Sequence, residues 1–483
     1  MKKSWRDDEP SSPIPFWTGS NGEYDPPPPS GRDRRAAALL RRLSTEQARR
    51  LGVSRRQFLE SSCGAAAALL VINQVYGCGS DNGGHYNVDA SMTSDSAAAC
   101  DRLSGSEFIF DVQTHHINPN GAWRQISPQY ASFFQSLPQA SCGEMDKLVC
   151  FDARHYIREE FVNSDTAVAV LSAVPADPNG NPLTADEQVA TRELVNMLAQ
   201  SQRLLVHGLV LPDRGQAQLD GMQNLAESLK IAAWKIYTPF GGWRLDDPAI
   251  GIPFIERARQ LGIKLICAHK GLPLAGFDPN FASPADIGVV AAMYPDVKFL
   301  VYHSGFETTV TEGPYNPQNP QGVDRLVKTC LDHGIGPGGN VYGELGSTWR
   351  YVMTRPDQAA HVLGKLLKVL GEDRIVWGTD SIWYGSPQDQ IMAFRTFEIP
   401  AAMQAQYGYP ALTPTARAKI FGLNAAAAYG VDPAAVRCAI HNDQLSQLKL
   451  AARERPLGRG PALGPRTRRE FLRLLRMTGG HPG

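Results

Sequence analysis

Between residues 106 and 432 the chain repeats one unit eight times. A short apolar run rich in β-branched residues is followed by a longer stretch with helical periodicity. The runs lie at residues 108–112, 167–174, 204–211, 231–237, 263–268, 297–302, 340–345 and 374–377. Alternation of strand and helix implies parallel pairing. Eight such units close into an α/β structure, a (β/α)8 barrel. A doubly wound open sheet is the competing architecture, and it predicts a glycine-rich phosphate loop after the first strand. The chain has Gln113-Thr114-His115-His116 there instead.

At 483 residues the chain is longer than such a barrel needs. With 48 basic and 48 acidic residues it has no net charge, so nothing points to nucleic acid. Eight cysteines occur without a CxxC pair, which argues against a zinc knuckle or a thioredoxin-type motif.

The flanks read differently. Residues 1–53, with Pro26 to Pro29 in a row and an Arg-rich stretch from Arg32 to Arg50, read as a disordered extension. Residues 54–78 open with Ser54-Arg55-Arg56-Gln57-Phe58-Leu59 and continue into an apolar run from Ala65 to Ile72. A charged segment before a short apolar one is the layout of a secretory signal. The paired arginines resemble a twin-arginine signal, which implies export machinery as a partner and an exported, periplasmic or envelope-associated protein. Val75-Tyr76-Gly77-Cys78 resembles a lipoprotein box, with Cys78 as the residue that would carry a lipid anchor. Residues 79–105 read as a flexible tether. Residues 433–483 read as a basic amphipathic tail containing a second Arg-Arg-x-Phe-Leu string at Arg468 to Leu472. Cys142 and Cys150 are close enough in sequence to pair in an oxidising space.

Side chains at the C-terminal ends of barrel strands face the active site. Read in order, those ends carry His115, Pro175, Pro212, Lys235 with Tyr237, His269, His303, Glu344 and Asp380. A hydrophobic core has no need of three histidines and two carboxylates converging on one rim. Their convergence points to a metal. Adjacent His116 faces the other way along an extended strand. In the loops after strands four and seven lie Trp243, Arg244, Trp349 and Arg350. Arginine beside aromatic rings suits a carboxylated or aromatic substrate.

These residues carry a resemblance to the amidohydrolase superfamily, in its amidohydrolase-2 branch, over roughly residues 106–432. Asp111-Val112-Gln113-Thr114-His115 resembles that family's first-strand Asp-x-His-x-His, with Gln113 standing where the first metal histidine would be. Cys267-Ala268-His269, Val301-Tyr302-His303 and Trp377-Gly378-Thr379-Asp380 resemble the histidines of strands five and six and the aspartate of strand eight. The resemblance implies one divalent ion, zinc or else manganese, held by His115, His269 and Asp380, with Gln113 as a weaker amide ligand. It implies Asp380 and His303 as the proton-transfer groups, with Lys235, Arg244 and Glu344 as substrate-anchoring candidates and Glu344 as a partner for Lys235. The function expected is metal-assisted hydrolysis of a small ester, lactone or amide. The alternatives are nonoxidative decarboxylation of an aromatic or unsaturated acid, and an exported barrel that binds without turnover. A homo-oligomer is left open.

Overall fold

The computed structural model describes residues 12–16, 29–77, 84–177, 179–273, 277–440 and 443–454. Cys78 and the second Arg-Arg-x-Phe-Leu string lie outside them.

Each of the eight apolar runs overlaps a strand: β2 (Phe110–Thr114), β3 (Val168–Leu171), β4 (Leu204–Leu209), β5 (Ala233–Ile236), β6 (Leu265–His269), β7 (Lys298–Tyr302), β8 (Val341–Glu344) and β9 (Ile375–Val376). A short strand β1 (His85–Tyr86) precedes them and pairs antiparallel with β10 (Phe397–Glu398). The eight are parallel and in sequence order. Val112 N–H donates to Trp377 O at 3.0 Å and Asp380 N–H to Gln113 O at 2.9 Å, which joins the last strand to the first. The result is the expected barrel.

Alternation along the strands sorts the core in two. Phe110, Val112, Val168, Val170, Leu205, Ala233, Leu265, Leu300 and Val376 form one buried cluster. Ala169, Leu171, Val206, Trp234, Ile236, Ile266, Phe299, Val301 and Ile375 belong to a second cluster, shared with the helices.

The region before the barrel is more ordered than its composition suggests. The stretch expected to be disordered contains α1 (Gly31–Arg50), a 20-residue helix opened by a capping box between Ser30 and Asp33. Its buried Ala36, Leu40, Ser44 and Ala48 recur every four residues, and its arginines occupy the remaining faces. Two further helices follow, α2 (Arg55–Leu59) and α3 (Ser62–Tyr76). The expected tether contains β1 and a fourth helix, α4 (Ser96–Leu103), with Ala99 and Leu103 buried. Beyond the barrel, Asp443 makes a buried pair with Arg203 at 2.8 Å, which fixes the start of the C-terminal tail. Among the described residues no helix is long and apolar enough to cross a membrane. Cys142 and Cys150 are joined in a disulfide.

Lys365, in the helix Pro356–Leu370, is buried between Glu312 (2.7 Å) and Asp324 (2.6 Å). Removing the cation strands two buried carboxylates. Lys365→Met is expected to destabilise the protein by about 3–5 kcal/mol in urea unfolding. A loss below about 1 kcal/mol would show that this triad contributes little.

Candidate active site

The C-terminal ends of β2, β6 and β7 and the turn after β9 bring His115, His269, His303, Gln113 and Asp380 together. All are buried; Asp380, the most open of them, is 8% exposed. Asp380 Oδ1 accepts from Gln113 Nε2 at 2.8 Å and lies 3.1 Å from His115 Nε2. His303 Nε2 is 3.2 Å from His269 Nδ1 and 3.5 Å from Gln113 Nε2. The rim turns are unusual. His303, Ser304, Ser347 and Asp380 all have positive φ, between 51° and 67°. For residues other than glycine each such conformation costs about 1–3 kcal/mol, and such strain clusters at functional sites.

The second nitrogen of each histidine sets its tautomer. His115 Nδ1 faces Ser172 O at 2.9 Å, His303 Nδ1 faces Gly346 O at 2.7 Å, and His269 Nε2 faces Leu272 O at 3.3 Å. A carbonyl only accepts, so each of these nitrogens carries the proton. Lone pairs therefore face inward from His269 Nδ1 and His303 Nε2, while His115 Nε2 faces Asp380 Oδ1. Burial, with the neighbouring histidine and Lys235 adding to it, holds His269 well below the usual imidazole range. Burial likewise pushes His303 down to about 4, so both rings are neutral near pH 7. Burial opposes ionisation of Asp380. Hydrogen bonds from His115 and Ser347 outweigh it and hold the carboxyl well below its usual range.

The centre thus holds one close contact between acceptors, His269 Nδ1 on His303 Nε2, beside the 3.1 Å pair of His115 Nε2 and Asp380 Oδ1. Imidazole nitrogens beside an ionised carboxylate suit a divalent ion. Gln113 Oε1, buried without a hydrogen-bond partner, adds an amide oxygen. As arranged, no three His, Cys, Asp or Glu side chains among the described residues close on one point. The residues fit a divalent ion in kind, as two pairs bridged by Gln113.

Below the rim the expectations meet corrections. Glu344 does not pair with Lys235. Its carboxyl accepts the backbone N–H groups of His303 (2.9 Å) and Gly346 (2.5 Å), so it shapes two of the turns. Lys235 Nζ, fully buried, has no hydrogen-bond partner and sits 3.3 Å from the centroid of the Tyr302 ring. Burial pushes it down to about 7. Arg244 stays outside the cluster; it is held by two 2.7 Å bonds to Asp246, with 42% of its side chain exposed. Arg350 pairs with Asp389 at 2.7 Å and lies 5.4 Å from the Tyr384 ring centroid, and Trp349 Nε1 donates to Gln390 O at 3.0 Å. His116 Nε2 meets Thr191 Oγ1 at 2.9 Å, away from the cluster.

Several contributors were not read from sequence. Ser347 donates to Asp380 Oδ2 at 2.5 Å and meets Tyr384 Oη at 2.9 Å. Trp383 stacks on His115 at 5.1 Å. Phe277 lies 5.2 Å from His269, on which Tyr237, already read at the end of the fourth strand, also packs at 5.2 Å. The residues flanking Gly346 and Asp380 were the available signal.

A parallel barrel with such a cluster at the C-terminal ends of its strands belongs to the enzymes that work from a barrel mouth. The amidohydrolase family model matches residues 143–431, more than half of the chain, and the chain belongs to that family. It is accordingly an enzyme of the metal-dependent hydrolase or carboxy-lyase kind. No curated protein matches it. Among solved structures it resembles an uncharacterized TIM-barrel protein from Bordetella bronchiseptica (15% identity, 67% of this chain and 100% of that one, TM-score 0.43). It also resembles 5-carboxyvanillate decarboxylase from Sphingomonas paucimobilis (13%, 68% and 100%, 0.39) and 2,6-dihydroxybenzoate decarboxylase from Rhizobium (15%, 67% and 99%, 0.38).

Burial raises the Glu344 carboxyl to about 8, from an ordinary value of 4.5. The folded state then holds a proton that the unfolded chain releases above pH 4.5, so this group's contribution falls as pH rises through that window. Glu344→Gln removes the titration. Its stability relative to wild type is expected to improve steadily from about pH 4.5 to 8 and then level off, read from urea midpoints. A difference that does not change with pH would show that Glu344 is ionised in the folded protein.

Proposed function

We propose that the chain is a metal-dependent carboxy-lyase acting on a flat aromatic or unsaturated carboxylic acid. The observation that carries this reading is the aromatic walling of the metal-candidate histidines. Trp383 stacks on His115 with an interplanar angle of 14° and is backed by Phe134 and Phe151; Tyr237 and Phe277 flank His269. Stacked and edge-on rings favour a planar guest. Hydrolysis of a small ester, lactone or amide is the second reading. It is supported by Asp380, a buried carboxylate held ionised at the barrel mouth, which suits activation of water.

His115, His269 and Asp380 are the proposed ligands of one divalent ion, with the amide oxygen of Gln113 beside them. When bound, such an ion polarises a substrate oxygen or acidifies a water. Asp380 takes or returns the proton at Oδ1, while Ser347 steadies Oδ2. His303, protonated on Nδ1 by its bond to Gly346 O, presents the Nε2 lone pair to the reacting group. The Lys235 amine lies beneath, where a partial positive charge favours a carboxylate above it.

His269→Ala is expected to lose most of the bound metal, measured by mass spectrometry of the purified protein. Wild-type occupancy in that variant would remove His269 from the ligand set. Asp380→Asn and His303→Asn are expected to lower turnover by about 10²–10⁴-fold. The assay is a panel of aromatic and unsaturated acids, followed as released carbon dioxide, beside a panel of esters, lactones and amides. Turnover confined to the second panel would replace the carboxy-lyase reading with the hydrolytic one. Unchanged rates in both variants would place the chemistry elsewhere.

A further inference from the structure

The segment that reads as an export leader is enclosed in the folded protein. Eleven residues of α3 are buried, including all of Ala65 to Leu69, so that stretch of the helix is enclosed on every side, and Gln74 is its one exposed residue. A helix of that kind is a core helix. It packs against α1, α2, α4 and the helix Pro356–Leu370 of the barrel. A buried polar junction fastens the layer: Tyr76 Oη donates to Asp33 Oδ1 at 2.6 Å, and Arg355 reaches the same oxygen at 3.1 Å. Arg355 also donates to Phe16 O at 3.2 Å and lies 4.6 Å from the Tyr76 ring centroid.

A second path leads from this layer toward the active site. The Asn73 amide clamps both backbone groups of Tyr86, donating to its carbonyl at 2.7 Å and accepting from its N–H at 2.8 Å. The Tyr86 hydroxyl, fully buried, donates to Met353 O. Met353 closes the short helix Thr348–Val352, and the residue that opens that helix is Ser347, whose hydroxyl holds Asp380 Oδ2. One end of this helix is thus pinned by the N-terminal layer and the other end holds the acid at the barrel mouth.

We infer that the layer α1–α3 is a permanent part of the working enzyme, and that Asn73 and Tyr86 are positioning residues that set Ser347 against Asp380 through Met353. The inference rests on packing and hydrogen bonds alone and stands independently of which reaction the site performs.

The test uses the full-length chain carrying a protease site within residues 78–83. After cutting, the N-terminal fragment is expected to co-elute with the barrel on size exclusion. Release of the fragment from an intact barrel would overturn its permanence. In parallel, Tyr86→Phe and Asn73→Ala are examined by hydrogen exchange with mass spectrometry. Tyr86→Phe keeps the ring and removes only the bond to Met353 O. Exchange at residues 347–353 is expected to rise about tenfold or more, while α1 and α3 stay protected. A general loss of structure would instead raise exchange throughout. Exchange at 347–353 that is unchanged in both variants would overturn the positioning role.

Discussion

The structure depends on the seam where β9 meets β2. Gln113 and Asp380 lie 267 residues apart, and backbone bonds between their strands set them side by side. The same bonds that close the sheet assemble the candidate metal-binding centre. The strand ends contribute the histidines and the seam contributes the carboxylate. Folding and the making of the site are therefore one event at this edge.

Closure also accounts for the electrostatics. The rim side chains are buried, and the ionisable groups divide according to what each finds there. Asp380 finds donors and stays ionised; burial leaves His269 and His303 neutral although each ring donates to a carbonyl. Burial outweighs the two backbone donors of Glu344 and acts on an unpartnered Lys235 amine, and the two move toward neutrality from opposite directions. His269 Nδ1 and His303 Nε2 are left facing one another at 3.2 Å beside the ionised Asp380.

The barrel was legible because its strands are buried on both faces and read as continuous apolar runs, a signal that survives any choice of loop. The histidines and Asp380 were legible because strand ends in a barrel point to one place. Ser347 and Trp383 were not, since they sit beyond the strands on turns with left-handed backbone, whose course no periodicity encodes. Pairing Lys235 with Glu344 followed opposite charge and ignored the backbone N–H groups that compete for the carboxylate. The N-terminal layer was hidden by composition. In α1 the arginines gave an appearance of disorder, although the Ser30–Asp33 cap and the four-residue spacing of Ala36, Leu40, Ser44 and Ala48 were present in the sequence.

The order in which α3 and its barrel partner leave the ribosome has a cost. Tyr76 and Pro356 are separated by roughly 280 residues of chain, and synthesis proceeds at about 5–20 residues per second. For some tens of seconds the nascent protein carries an alanine-rich apolar helix with no barrel to receive it. Over that interval the helix needs shelter, from its neighbour α1 or from a chaperone, and the yield of folded enzyme should depend on how fast the chain is made.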